Sequence, residues 1–130
     1  MKLNLEDITF IIVSYKSEDI IERCLSSLPK NSKKIIIENS NNTNLKRDLK
    51  SKYDNIEVIM SKNIGMGAGN NIGLKSCHSQ CAYVLNPDTK LKKDTLKNLL
   101  DELSNVGDFA LASPLNDNIR IPNYKIIFTN

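Results

Sequence analysis

Residues Ile8–Ser14 read ITFIIVS, an apolar, β-branched run that decides the fold. The run is too short for a buried helix and too continuous for a strand with one wet face. It therefore predicts a central parallel strand covered on both sides. After this run, Ser17 is placed to cap a helix whose first turn carries Glu18 and Asp19. Ile20, Ile21, Cys24, Leu25 and Leu28 then fall on one helical face before Pro29 ends it, so this helix is expected to cover the first strand.

The same alternation repeats along the chain. Strands are predicted over residues 34–38, 56–60, 82–86 and 109–113, and helices over 45–52, 69–76 and 93–103, the last with Leu96, Leu99, Leu100 and Leu103 inward. Strands alternating with helices imply right-handed crossovers, hence α/β architecture: an open, mainly parallel sheet with helices on both faces. No linker or internal repeat interrupts the pattern, so residues 1–130 are read as one domain with an irregular tail from about 116. That tail holds Pro122 and a strand-like stretch at 124–128.

Composition narrows the function classes. With 40% hydrophobic and 25% charged residues, the chain can build a core and is not a disordered polymer. The net charge of +3, from 18 basic and 15 acidic residues, is too small for a nucleic-acid footprint and allows only a mild attraction to anionic membrane surfaces. No apolar run is long enough to span a bilayer, and the polar start carries two acids, unlike a signal peptide. Three cysteines, Cys24, Cys77 and Cys81, without an export signal point to reduced thiols in a cytoplasmic setting.

In an open α/β sheet a ligand sits outside the carboxyl ends of the strands, where strand order reverses. The unusual polar clusters of this chain fall there. Asn86-Pro87-Asp88-Thr89 follows a buried strand, with Pro87 fixing the turn, so Asp88 is a rigid carboxylate suited to Mg²⁺ or Mn²⁺ beside nucleotide phosphates. The same spacing also fits Asp88 and Thr89 capping the turn into the next helix. Glu38 ends a strand of three isoleucines, where a carboxylate can accept a ring N–H from a base, although taken alone an exposed acid before the Asn-rich turn 39–44 is the better reading. The stretch NIGMGAGNNIG over 63–73 offers glycines for close backbone approach. It departs from the dinucleotide fingerprint at Ile72 or Asn70, depending on the starting glycine, which disfavours a dehydrogenase. Cys77-His78-x-x-Cys81 would need Cys24, the only other soft candidate, as a fourth zinc ligand, and core packing explains the thiols better; a single histidine makes no hydrolase triad.

Taken together and in order, ITFIIVSYKS, IIIENSN, NIGMGAGNNIGLK and YVLNPDTKL resemble glycosyltransferase family 2, in particular its rhamnosyltransferase-like branch. The resemblance implies a GT-A fold, a Rossmann-like nucleotide-binding half, and inverting, metal-dependent transfer of a hexosyl group to an acceptor hydroxyl. The donor would be a nucleoside diphosphate sugar of the UDP, dTDP or GDP type. It implies that Ser14 and Tyr15 line the nucleoside pocket, Glu38 faces the base, Asn70 and Asn71 lie beside the nucleoside, and Asn86 with Asp88 occupies the DxD position. Asp88 would then hold a divalent cation, Mg or Mn. The partners implied are an acceptor glycan or lipid-linked sugar in polysaccharide biosynthesis, at the inner face of the membrane. Apart from the resemblance, an incomplete sheet edge near the carboxyl terminus would favour self-association.

Two departures stand out. Glu38 replaces the family's usual aspartate, and Asn86 replaces the first acid of DxD, leaving one carboxylate for the metal. The family's general base lies downstream with the acceptor-binding region, so no residue here is assigned as the catalytic base; Asp108 and Asp117 have no special context. A non-catalytic nucleotide-sugar-binding module, or a truncated inactive fragment, is therefore the second reading. A nucleotidyltransferase is the third, weakened because Ser14-Tyr15-Lys16-Ser17 carries no glycine. All of these expectations require Glu38 and Asp88 to share one cleft.

Overall fold

The computed structural model describes residues 2–113. Four strands, β1 (Ile8–Ser14), β2 (Lys33–Glu38), β3 (Ile56–Met60) and β4 (Cys81–Leu85), form one parallel sheet in the order β3-β2-β1-β4. β1 is buried along its whole length, as its unbroken apolar run requires of a strand with neighbours on both edges and helices on both faces. It pairs with β2 from Thr9 opposite Lys33 to Ser14 opposite Glu38, and with β4 from Ile8 opposite Cys81 to Ile12 opposite Leu85.

Between them run α1 (Ile21–Ser27), α2 (Thr43–Lys52) and α3 (Met66–Ser76). The chain moves from β1 to β2 to β3 in one direction and then crosses back to β4. Right-handed crossovers consequently put α1 and α2 on one face and α3 on the other. Successive strand residues point to opposite faces. Ile11, Val13, Ile35 and Ile37 accordingly form one buried cluster, joined by Ile59, Ile72 of α3 and Cys77. Phe10, Ile12 and Ile36 fill the other side, where the Phe10 ring meets Tyr83 at 5.3 Å between centroids.

Two glycines set how closely α3 lies on the sheet. A Cβ on Gly69 would stand 2.9 Å from both Val13 methyls, and one on Gly73 would collide with Ile11 Cγ2. Spaced four apart, they share the sheet-facing stripe of the helix. Their role in packing is thus visible in the close approach they permit.

The chain divides into two compact units. Residues 5–91 contain the whole sheet and the helices just named. The second unit joins residues 1–4 to 92–130; within its described part lies α4 (Thr95–Val106), with Leu96, Leu100 and Leu103 buried along one stripe. There the Leu3 N–H donates to Ser104 Oγ at 2.9 Å. Gly107, at φ 85°, ends the helix in a backbone conformation that suits a residue without Cβ.

Several expectations need correction. Residues 109–113 form no strand, and Ala110 and Leu111 are exposed. Ser17 does not cap α1 with its side chain, because its hydroxyl turns to the Tyr15 carbonyl at 3.1 Å; its own carbonyl accepts from the Ile20 and Ile21 N–H groups instead. α3 begins at Met66, earlier than expected, with Gly65 at φ 99° making the entry turn. Pro114, Asp117 and the strand-like stretch at 124–128 lie outside the described residues.

Candidate functional site

β1 has β2 on one side and β4 on the other, so strand order reverses between β1 and β4. A crevice is expected at the carboxyl ends of these two strands. Ser14 and Tyr15 emerge there from β1, Asn86 to Thr89 from β4, and Glu38 ends β2 one strand over. β2 and β4 both flank β1, which separates their ends by roughly 9.5 Å, twice the usual strand spacing. Glu38 and Asp88 therefore belong to one rim.

Their environments differ. Glu38 is fully buried, and its carboxylate faces its own loop. Oε2 accepts from the Ser40 N–H at 3.0 Å and the Asn42 N–H at 2.8 Å, while Oε1 accepts a short bond from the Ser40 hydroxyl. Ser40 Oγ in turn accepts from the Lys16 N–H at 3.1 Å, tying the loop after β2 to the loop after β1. Lys16 sits at φ 50°, a left-handed conformation strained for a residue with Cβ, and its ammonium lies 5.5 Å from the centre of the half-exposed Tyr15 ring. Glu38 thus organises the rim through two loops, a role sequence reasoning did not assign to it.

Asp88 is exposed, and among the described residues its carboxylate has neither a hydrogen bond nor an ion pair. The Thr89 N–H donates to the Asn86 carbonyl at 3.0 Å, closing a four-residue turn with Pro87 at its first corner, the position where a fixed φ is favoured. The capping alternative fails, since α4 starts at Thr95 with Asp94 before it. Beneath the turn, the buried Cys24 Sγ donates to the same Asn86 carbonyl at 3.7 Å. Burial first, and the Asp88 charge second, push the Cys24 thiol up to about 11, so it remains a protonated donor.

The asparagines divide. Asn86 is exposed at the mouth of the turn, and Asn70 is half-buried one turn into α3. At 3.6 residues per turn, Asn71 lies away from the stripe of Gly69, Ile72 and Gly73 that meets the sheet, and it faces solvent. Asn39 was not singled out from the sequence, yet it is buried with Oδ1 unpartnered among the described residues, as is Ser14 Oγ. Orphaned buried polar atoms are uncommon and call for an unseen partner. The strand period carries the signal that finds Asn39: it follows Glu38 and so points to the opposite face, under Gly69.

No group of three or more His, Cys, Asp or Glu side chains that could hold a metal occurs among the described residues. Asp88, with the Asn86 amide, would be a sparse donor set. Such a set fits Mg²⁺ or Mn²⁺, which use one or two carboxylates when phosphate oxygens and water complete the shell.

Comparisons with known proteins give the family and the fold. The description "Glycosyl transferase family 2" matches residues 9–127. The low-salt glycan biosynthesis hexosyltransferase Agl10 of Haloferax volcanii is 31% identical over 100 residues, which make up 73% of this chain and 32% of that protein. The crystal structure of S. aureus TarS 1-349 superposes with a TM-score of 0.63 at 22% identity, covering 75% of this chain and 32% of that one. Its complex with UDP gives 0.63 at 21% identity over the same shares. The TarS likeness is one of fold, and the chain spans about a third of the length of these relatives.

Proposed function

The chain belongs to glycosyl transferase family 2, and from that premise we propose that it holds a nucleoside diphosphate sugar at the carboxyl ends of β1 and β4 for inverting, metal-dependent hexosyl transfer to an acceptor hydroxyl. One observation supports this reading: in the order β3-β2-β1-β4, Asp88 follows β4 without a partner for its carboxylate among the described residues, and Ser14 and Tyr15 emerge from the neighbouring β1. The UDP complex of TarS and the hexosyltransferase Agl10 support the donor class.

In this reading Tyr15 offers its ring to the nucleoside, and Ser14 and Asn70 supply polar contacts. Glu38 selects the base indirectly, by fixing the loops on which Lys16, Ser40 and Asn42 sit. Asp88, with Asn86, would hold the divalent cation, which when bound neutralises charge on the departing diphosphate. A single carboxylate binds a free cation weakly, so metal and nucleotide should bind cooperatively.

The whole of 1–130 is read as one donor-binding domain, with residues 5–91 carrying these contacts. The acceptor is read as a glycan or lipid-linked sugar at the cytoplasmic face of a membrane. Among the described residues no helix is long and apolar enough to cross one. Self-association is read at an incomplete sheet edge near the carboxyl terminus, where unpaired backbone groups would invite pairing.

A thermal-shift panel of UDP, dTDP and GDP with and without Mn²⁺ tests the reading, because a ligand that binds only the folded state raises the transition temperature. One diphosphate should stabilise the protein more with Mn²⁺ than with chelator, and Asp88→Asn should remove the difference. No shift with any nucleotide would overturn the proposal.

A further inference from the structure

The loop from Asn86 to Leu91 leaves the sheet and carries Asp88 in its first turn. Two side chains of α1, three residues apart, hold it at both ends. Cys24 Sγ donates to the Asn86 carbonyl at 3.7 Å, and Ser27 Oγ accepts from the Leu91 N–H at 3.0 Å. The Ser27 hydroxyl also donates to the Cys24 carbonyl at 2.6 Å, so both attachments converge on one residue of the helix. Cys24 is 1% exposed, and Ser27 is half-buried.

We propose that Cys24 and Ser27 are positioning residues that bracket the 86–91 loop and hold the Asp88 carboxylate where it would ligate a divalent cation bound with the donor nucleotide. The proposal rests on the reading of Asp88 as metal ligand. Its physical basis is that Mg²⁺ and Mn²⁺ sites demand accurate ligand placement, while an exposed turn closed by a single backbone bond does not supply it. The i, i+3 spacing puts both side chains on one face of α1, and that face meets the loop across a sequence separation of more than sixty residues. The thiol serves as a hydrogen-bond donor, which a hydroxyl can replace and a methyl cannot.

Calorimetric titration of UDP, once with saturating Mn²⁺ and once with EDTA, gives the metal-dependent gain in affinity. Cys24→Ala should reduce that gain about threefold, the worth of one modest hydrogen bond, while leaving the metal-free affinity unchanged. Cys24→Ser should restore it, and Ser27→Ala should reduce it by a smaller factor. Amide hydrogen exchange should be faster across residues 86–91 in both alanine variants, with or without nucleotide. If Cys24→Ala does not fold, Ser27→Ala and Cys24→Ser carry the test. A folded Cys24→Ala or Ser27→Ala protein with an undiminished gain overturns the bracket and leaves the metal reading standing. Equal losses in Cys24→Ser and Cys24→Ala overturn the donor role. A wild-type protein without any Mn²⁺ gain overturns the metal reading and the bracket together.

Discussion

The two acids at the sheet's carboxyl edge are placed in opposite ways. Glu38 ends β2 fully buried, with three donors from Ser40 and Asn42 turned onto it, whereas Asp88 follows β4 in an exposed turn and has no partner among the described residues. A carboxylate surrounded by its own loop's donors holds structure. One left open is available to a cation. Position at a strand end is common to both; what separates them is whether local N–H and O–H groups already satisfy the carboxylate.

The contrast can be broken most directly at Glu38. Glu38→Ala leaves the Ser40 and Asn42 donors without their acceptor, and should cost about 3 kcal/mol in urea unfolding. A loss below about 0.5 kcal/mol would mean that the buried acid organises nothing.

A nearly equal effect is expected from pH at the thiol beneath Asp88. The folded Cys24 pKa of about 11 stands above its ordinary value of 9.0. Above pH 9 the unfolded chain therefore binds fewer protons than the folded one, and stability falls with rising pH. The contribution is fully present below pH 9 and is lost by pH 11. It amounts to about 2.5 kcal/mol, read as the difference between wild type and Cys24→Ser over that window.

Third in size, Gly73→Ala drives a methyl into Ile11 and should cost about 2 kcal/mol, whereas Gly67→Ala meets no neighbour and should be neutral or stabilising by about 0.5 kcal/mol. Thermal denaturation of the pair sharpens the claim that α3 glycines serve packing on the sheet. The smallest change in stability belongs to Asp88→Asn, within about 0.5 kcal/mol of wild type, accompanied by loss of the Mn²⁺-dependent part of nucleotide binding. A large destabilisation there would make Asp88 a second Glu38.

Much of the scaffold was legible in the residues. The bounds of β1 and β3 match those read from the residues; for β1 the reason is that a strand buried on both faces needs an unbroken apolar stretch, whereas β3, with Glu57 exposed, is delimited by the turn residues around its β-branched core. Residues 109–113 look similar but form no strand, since a strand exists only when a neighbour offers hydrogen bonds. Pro87 announced the Asn86–Thr89 turn and hence the projection of Asp88. The environment of Glu38, the orphaned Asn39 oxygen and the Cys24 bond to Asn86 gave no comparable sign. Each depends on groups brought together by loop closure or from distant parts of the chain.

The order of apolar runs, turn residues and glycines determined by itself a parallel α/β sheet, the strand ends where polar residues gather, and the family, because backbone hydrogen bonding and side-chain periodicity act over a few residues. Only the tertiary structure decided which rim acid is enclosed and which stands open, and which helix holds the open one. Burial and hydrogen-bond satisfaction arise from residues far apart in the chain, and they exist only once the sheet has brought those residues together.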